Sequence, residues 1–163
     1  KLWNEDNFDV NMIPYTREAY EAKKFAFVSD FARFWVLYKY GGLYFDTDVE
    51  VIRPLNDIIE RGPFMGRERN VKPAPGGECT CAVAPGLGLG VNPGLGLYKE
   101  IIEFYSSLHF TLSENGMPPK TIVDHTTSVL CRHGLKATND IQLCAGVWIY
   151  PKEYFAPKDV DTT

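Results

Sequence analysis

Long apolar runs are missing from this chain: nothing approaches the roughly 18 consecutive apolar residues that suggest a membrane-spanning helix. No charged n-region followed by an apolar core opens it, so no signal peptide is read. The four cysteines, Cys79, Cys81, Cys131 and Cys144, include no C-x₂-C pair of the zinc-knuckle kind. They are expected to be reduced structural thiols. Repeats and low-complexity tracts are absent. Positive charge is in deficit: 17 Lys and Arg stand against 21 Asp and Glu, a net charge of −4 with pI ≈ 5.4. That balance argues against a broad nucleic-acid surface. A phosphate loop is missing too. In "PGLGLGVNPG" the third glycine of G-x-G-x-x-G falls on Val91 or Pro93, and no G-K-[ST] occurs, so the stretch reads as a connecting loop.

What the chain has is a ring-rich apolar complement. Of 163 residues, 45% are hydrophobic and 13% aromatic, enough for one sizeable core. The sequence opens at "KLWNEDNF" without Met and closes at "DVDTT", and is expected to be one domain over residues 1–163, incomplete at both ends. Residues 1–14 read as a short strand or extended segment around Leu2 and Trp3. Helices are predicted from Thr16 to Lys24 and from about Lys24 to Tyr40, the second stopped by Gly41. A strand follows over residues 41–51, closed by Pro54. "LNDIIE" reads as a short helix, and "GPFMGRE" and "CTCAVA" as strands. "LGLYKEIIEFYSSL" is an amphipathic helix, "SENGMPPK" a loop, and "TIVDHTTSVLCRHGL" a helix ended by Gly134. "DIQLCA" and "VWIYP" are short strands. Strands alternating with helices predict an α/β fold with a mixed, partly parallel sheet flanked by helices.

The second helix carries "FAFVSDFARFWVLY" (residues 25–38). Val28, Phe31, Trp35 and Tyr38 form one apolar stripe, yet Ala26, Leu37, Phe34 and Val36 make the other sides apolar too, which describes a buried helix. Asp30 and Arg33, three apart, are neighbours on it. Charges there need partners. Two readings stand: a structural ion pair, or an acceptor and a fork of donors projecting into a polar pocket, where sugar hydroxyls would suit both.

The strand "GGLYFDTDVEV" (residues 41–51) carries aspartates that strands usually avoid. Alternation sets Tyr44, Asp46, Asp48 and Glu50 on one face and Leu43, Phe45, Thr47, Val49 and Val51 on the other. Three carboxylates that close repel one another unless a cation lies among them, and hard oxygen ligands select Mg²⁺ or Mn²⁺. A solvated outer face is the other reading of the same pattern.

Taken in order, Ala26, Ser29-Asp30, Arg33, Leu37, Gly41-Gly42, Tyr44, Asp46 and Asp48 resemble the DXD-containing sugar-transferase region of glycosyltransferase family 32. That family includes bacterial capsular-polysaccharide and lipopolysaccharide enzymes and fungal mannosyltransferases, and the clostridial glucosylating toxins share a related block. "KLWNEDNFDVN", "CAVAPGLGLGVNPG" and "IYPKEYFAPKD" resemble flanking segments, so the similarity spans about Lys1 to Asp159.

The resemblance implies a GT-A-like domain and a metal-dependent retaining hexosyltransferase of surface polysaccharide synthesis. Asp48 would coordinate Mn²⁺ or Mg²⁺ directly. Asp46 would contact the ribose or sugar and the metal shell. Asp30 and Arg33 would bind hydroxyls of the transferred sugar, with Tyr44 among the substrate contacts. The implied partners are a nucleotide-sugar donor and a saccharide or glycolipid acceptor, with no nucleic acid. The implied location is cytoplasmic, at the inner face of a bacterial membrane. The glycine-rich loop would flank the acceptor side. No catalytic residue is assigned. The family's upstream tryptophan loop and C-terminal metal-binding histidine have no counterpart, since His109, His125 and His133 match no such position. Two alternatives are carried: a haloacid-dehalogenase-like phosphohydrolase, against which Glu50 stands where that motif wants threonine, and a non-catalytic sugar-binding remnant.

Overall fold

The computed structural model describes residues 1–72, 81–112, 116 and 119–158. Two helices come first, α1 (Pro14–Glu21) and α2 (Phe25–Tyr40), then strand β1 (Gly42–Tyr44) and helix α3 (Asn56–Arg61). Strand β2 (Phe64–Gly66), a 3₁₀ turn (Pro85–Leu87) and strand β3 (Leu89–Val91) lead into helix α4 (Gly96–Ser106). Helix α5 (Ile122–Arg132), strands β4 (Gln142–Cys144) and β5 (Val147–Tyr150) and helix α6 (Lys152–Phe155) complete the order.

The five strands form one sheet in the order β1-β3-β2-β5-β4. Only β2 and β5 pair in parallel, and the other three pairings are antiparallel. The fold is therefore α/β with a mixed, partly parallel sheet flanked by helices, consistent with a GT-A-like arrangement. Register aligns Leu89, Met65 and Ile149 across the middle of the sheet. All three are fully buried and face the core that α2, α4 and α5 close. α2 packs against both α1 and α4, with Phe34 edge-on to Tyr98 at 4.9 Å, and α1 meets α4 through Tyr15 edge-on to Tyr105 at 5.1 Å.

Local chemistry sets the element ends. Pro14 opens α1, where its missing N–H costs nothing. α5 begins with a capping box: Thr121 accepts from the Asp124 N–H while the Asp124 carboxylate accepts from the Thr121 N–H. α2 ends at Gly41, with φ +66° and its N–H donating to the Leu37 carbonyl. A Cβ on Gly41 would also lie 2.7 Å from Pro93 Cδ, so no other residue fits the stop that aims the chain at β1.

Four expectations are corrected. No strand forms around Leu2 and Trp3, which take no regular structure, and turns and bends fill most of residues 4–13. The strand expected over 41–51 ends at Tyr44, and Thr47 and Asp48 lie in a turn where the Val49 N–H donates to the Asp46 carbonyl at 3.1 Å. The stretch read as a loop contains β3, because Leu89 and Val91 alternate with glycines and bury in the sheet. Cys81 and Cys144 are free thiols, but Cys131 is disulfide-bonded, so the expectation of reduced thiols throughout fails there. Cys79, part of the predicted strand "CTCAVA", lies outside the described residues, as does most of "SENGMPPK". Val83 of that strand pairs only as an isolated bridge to Arg67.

Candidate functional site

The site lies where α2, the end of β1 and the 3₁₀ turn meet, and Arg33 is its centre. Arg33 is held along its length by α2 itself, its Nε donating to the Ser29 carbonyl at 3.2 Å. Its two terminal nitrogens then divide. Nη2 donates to Asp30 Oδ1 at 3.0 Å, and Nη1 lies 3.2 Å from Asp46 Oδ1. The guanidinium stacks over the Tyr44 ring, 4.6 Å from its centroid. Tyr44 closes the circuit, its hydroxyl donating to the same Asp46 Oδ1 at 2.7 Å. So four of the sequence-predicted residues, Asp30, Arg33, Tyr44 and Asp46, come together.

Their burial differs. The Arg33 and Asp30 side chains are only 5% and 13% exposed, whereas Asp46 is 39% exposed. Of the two readings the sequence offers, the geometry shows the ion pair, a buried Asp30–Arg33 contact whose guanidinium also grips the partly exposed Asp46.

Burial pushes the Asp30 carboxyl up to about 6, with Arg33 opposing the rise and Asp46 adding to it. Burial likewise raises the Tyr44 hydroxyl, which stays protonated as the donor to Asp46. The folded Asp30 holds its proton more firmly than an unfolded aspartate, which titrates at 3.8. Native protein therefore binds the extra proton between roughly pH 4 and pH 6, and stability falls as pH rises through that window. A denaturation series from pH 4 to pH 7 is expected to show a loss of up to about 3 kcal/mol from this group. Asp30→Asn should flatten that slope; an unchanged slope in the variant would assign it to other groups.

Asp48 does not join the circuit. It sits exposed in the turn and has no hydrogen bond or ion pair among the described residues. Glu50 is exposed as well. Among the described residues no three His, Cys, Asp or Glu side chains gather where they could hold a metal ion. The expected one-faced carboxylate cluster is thus corrected: the chain leaves the sheet after Tyr44, so strand alternation no longer governs Asp46, Asp48 and Glu50.

Residues fit for a cation remain. Asp46 keeps Oδ2 free of Arg33 and Tyr44, which both use Oδ1, and Asp48 is an open carboxylate two residues on. One or two carboxylates suffice for a cation that takes its other ligands from water and substrate phosphates.

The histidines lie elsewhere. His109 pairs with Glu18 at 2.8 Å and His133 with Glu100 at 2.5 Å, both exposed, while His125 is buried against Phe104 and Tyr105. Beside the site, a cleft of about 350 Å³ is lined by Trp3, Phe8, Tyr20, Phe25 and Val28, with Ser29 in its wall. The Ser29 hydroxyl also accepts from Arg33 Nη2 at 3.4 Å, which joins the cleft to the charged circuit.

One contact escaped the sequence reading. Gly86 in the 3₁₀ turn accepts from the Asp46 N–H at 2.9 Å. The alternation of glycine and leucine in "GLGLG" was its trace, and it carries no phosphate-loop pattern.

Residues 2–65 match a family model described as the glycosyltransferase sugar-binding region containing the DXD motif. The match takes in α1, α2, β1 and α3, and with them Asp30, Arg33, Tyr44, Asp46 and Asp48. This part of the chain is therefore similar to a glycosyltransferase sugar-binding region. No curated protein and no solved structure matches the chain. Among the described residues no helix is long and apolar enough to cross a membrane.

Proposed function

We propose that this chain is the donor-binding part of a metal-dependent retaining glycosyltransferase of the family-32 type. It would move a hexose from a nucleotide-sugar to a saccharide or glycolipid acceptor in surface polysaccharide synthesis. The observation that carries this reading is Arg33, bridging Asp30 and Asp46 under Tyr44 inside the stretch that matches a DXD sugar-binding region.

The roles follow from the chemistry. Asp30 presents acceptor oxygens and Arg33 a fork of donors, the complement of vicinal sugar hydroxyls. Both sit on one helix, anchored through Ser29, so the sugar they hold keeps a fixed orientation. Tyr44 and Arg33 orient Asp46 toward the ribose and the cation. Asp46 and Asp48 would hold Mn²⁺ or Mg²⁺, which as a Lewis acid offsets the charge that grows on the departing diphosphate. The aromatic cleft beside Ser29 suits the flat face of a base.

The disulfide at Cys131 favours an oxidising compartment, against the cytoplasmic location that the resemblance implies. The test is product formation from UDP- and GDP-linked hexoses. With Mn²⁺ the protein is expected to release nucleoside diphosphate, and EDTA should stop it. Release of inorganic phosphate from p-nitrophenyl phosphate, with no turnover of nucleotide-sugars, would instead favour the phosphohydrolase.

A further inference from the structure

We propose that Gly86 is a positioning residue for Asp46, and that residues 86–90 form a cradle for the segment carrying the aspartates. The functional consequence rests on the donor-site reading above; the contact itself rests on packing alone.

The stretch Gly86-Leu87-Gly88-Leu89-Gly90 lies beyond the residues that match the sugar-binding family. Each of its glycines lies against the side chains of other segments. A Cβ on Gly90 would collide with the Phe64 ring, and one on Gly88 would lie 2.9 Å from Phe45 Cε1 and 3.0 Å from Phe155 Cε1. At Gly86 the space a Cβ would fill is taken by Asp46 Oδ2, with Asp46 Cγ at 2.8 Å and Arg33 Nη1 at 3.3 Å. Phe45 and Asp46, consecutive in sequence, thus rest on Gly88 and Gly86 in turn. Within β3, alternation buries Leu89 in the core and turns Gly90 to the Phe64 ring, while Gly86 belongs to the 3₁₀ turn before it.

Gly86 is not glycine for the sake of its backbone, which lies outside the left-handed region. It is glycine because the Asp46 carboxylate occupies its side-chain space. Its carbonyl also fixes the Asp46 N–H, so one residue holds the aspartate at both backbone and side chain. The turn is itself tied to the sheet, the Ala84 N–H donating to the Gly66 carbonyl at 2.9 Å. With the Asp46 carboxylate lying over Gly86, Oδ1 meets Arg33 and Tyr44 together. Any side chain at 86 turns the carboxylate away and loosens the Arg33 fork that also holds Asp30.

A double-mutant cycle tests this without any ligand. Gly86→Ala is expected to lower Tm by about 5 °C. In an Asp46→Ala background the same change should lower it by no more than about 1 °C, because the colliding group is gone. Should Gly86→Ala alone fail to fold, a folded double variant supports the proposal. Equal losses in both backgrounds, no loss in either, or failure of both to fold would overturn it. Binding is the second readout. With Mn²⁺, Gly86→Ala should lose at least about tenfold in affinity for whichever of UDP-glucose and GDP-mannose the wild type prefers, and should weaken the matching free nucleotide as well, because Asp46 would serve the ribose and the cation. Wild-type affinity for the nucleotide-sugar in the variant would overturn the positioning role. A wild-type chain that binds neither sugar overturns the donor reading, and the cycle still decides the contact.

Discussion

Arg33→Ala is expected to cost about 3–5 kcal/mol of folding stability at pH 8 and distinctly less at pH 5. The guanidinium is nearly buried and is the shared partner of two carboxylates, 3.0 Å from Asp30 and 3.2 Å from Asp46. Removing it leaves Asp30 buried without its counter-charge and Asp46 beside it with the same sign. Asp30 already holds its proton up to about pH 6, so below that pH the variant escapes much of the penalty by protonation. Arg33→Lys separates charge from shape. Lysine restores a cation but not the fork that reaches Ser29, Asp30 and Asp46 at once, so this variant should fold and still lose roughly 100-fold in transfer. Denaturation at the two pH values and rates with saturating donor check both statements. Full activity in Arg33→Lys would show that the fork does not hold the sugar.

The second large effect falls on activity alone. Asp48 is exposed and unengaged, so Asp48→Asn should change stability by no more than about 0.5 kcal/mol. Metal-dependent release of nucleoside diphosphate should nevertheless fall by more than about 100-fold, since even changes one shell out from a metal cost up to that much. The contrast with Arg33→Ala is diagnostic: one residue supports fold and site together, the other only the site. Wild-type turnover of Asp48→Asn at saturating Mn²⁺ would remove it from the cation site.

The pairing of Asp30 with Arg33 was legible in the sequence, because three-residue spacing on a helix makes neighbours and an apolar helix forbids lone charges. The aspartates were legible as unusual, but their arrangement was not. Strand periodicity was extended from residue 41 to residue 51, whereas pairing to β3 stops at Tyr44. Beyond it Asp46 obeys Arg33, Tyr44 and Gly86, partners that local pattern does not reveal. β3 was missed because it is three residues long with glycines at and beside it. Its strand character comes from Leu89 and Val91 burying against the core, and glycine-rich sequence more often marks a turn. The mixed sheet was foreseeable from the alternation of elements, but not the central place of β2 and β3, which long-range pairing decides.

On the proposed function, the protein binds a nucleotide-sugar through a cation held at Asp46 and Asp48, with the sugar on Asp30 and Arg33. Thermal unfolding of the wild-type chain with UDP- and GDP-linked hexoses, with Mn²⁺ and with EDTA, tests it most directly, since a ligand that binds only the native state raises Tm. The predicted result is a rise with at least one nucleotide-sugar in Mn²⁺ that disappears in EDTA. In Asp48→Asn the rise should also be lost, although the unliganded Tm is unchanged. No rise with any donor, or a rise of equal size in EDTA, would rule out cation-mediated donor binding.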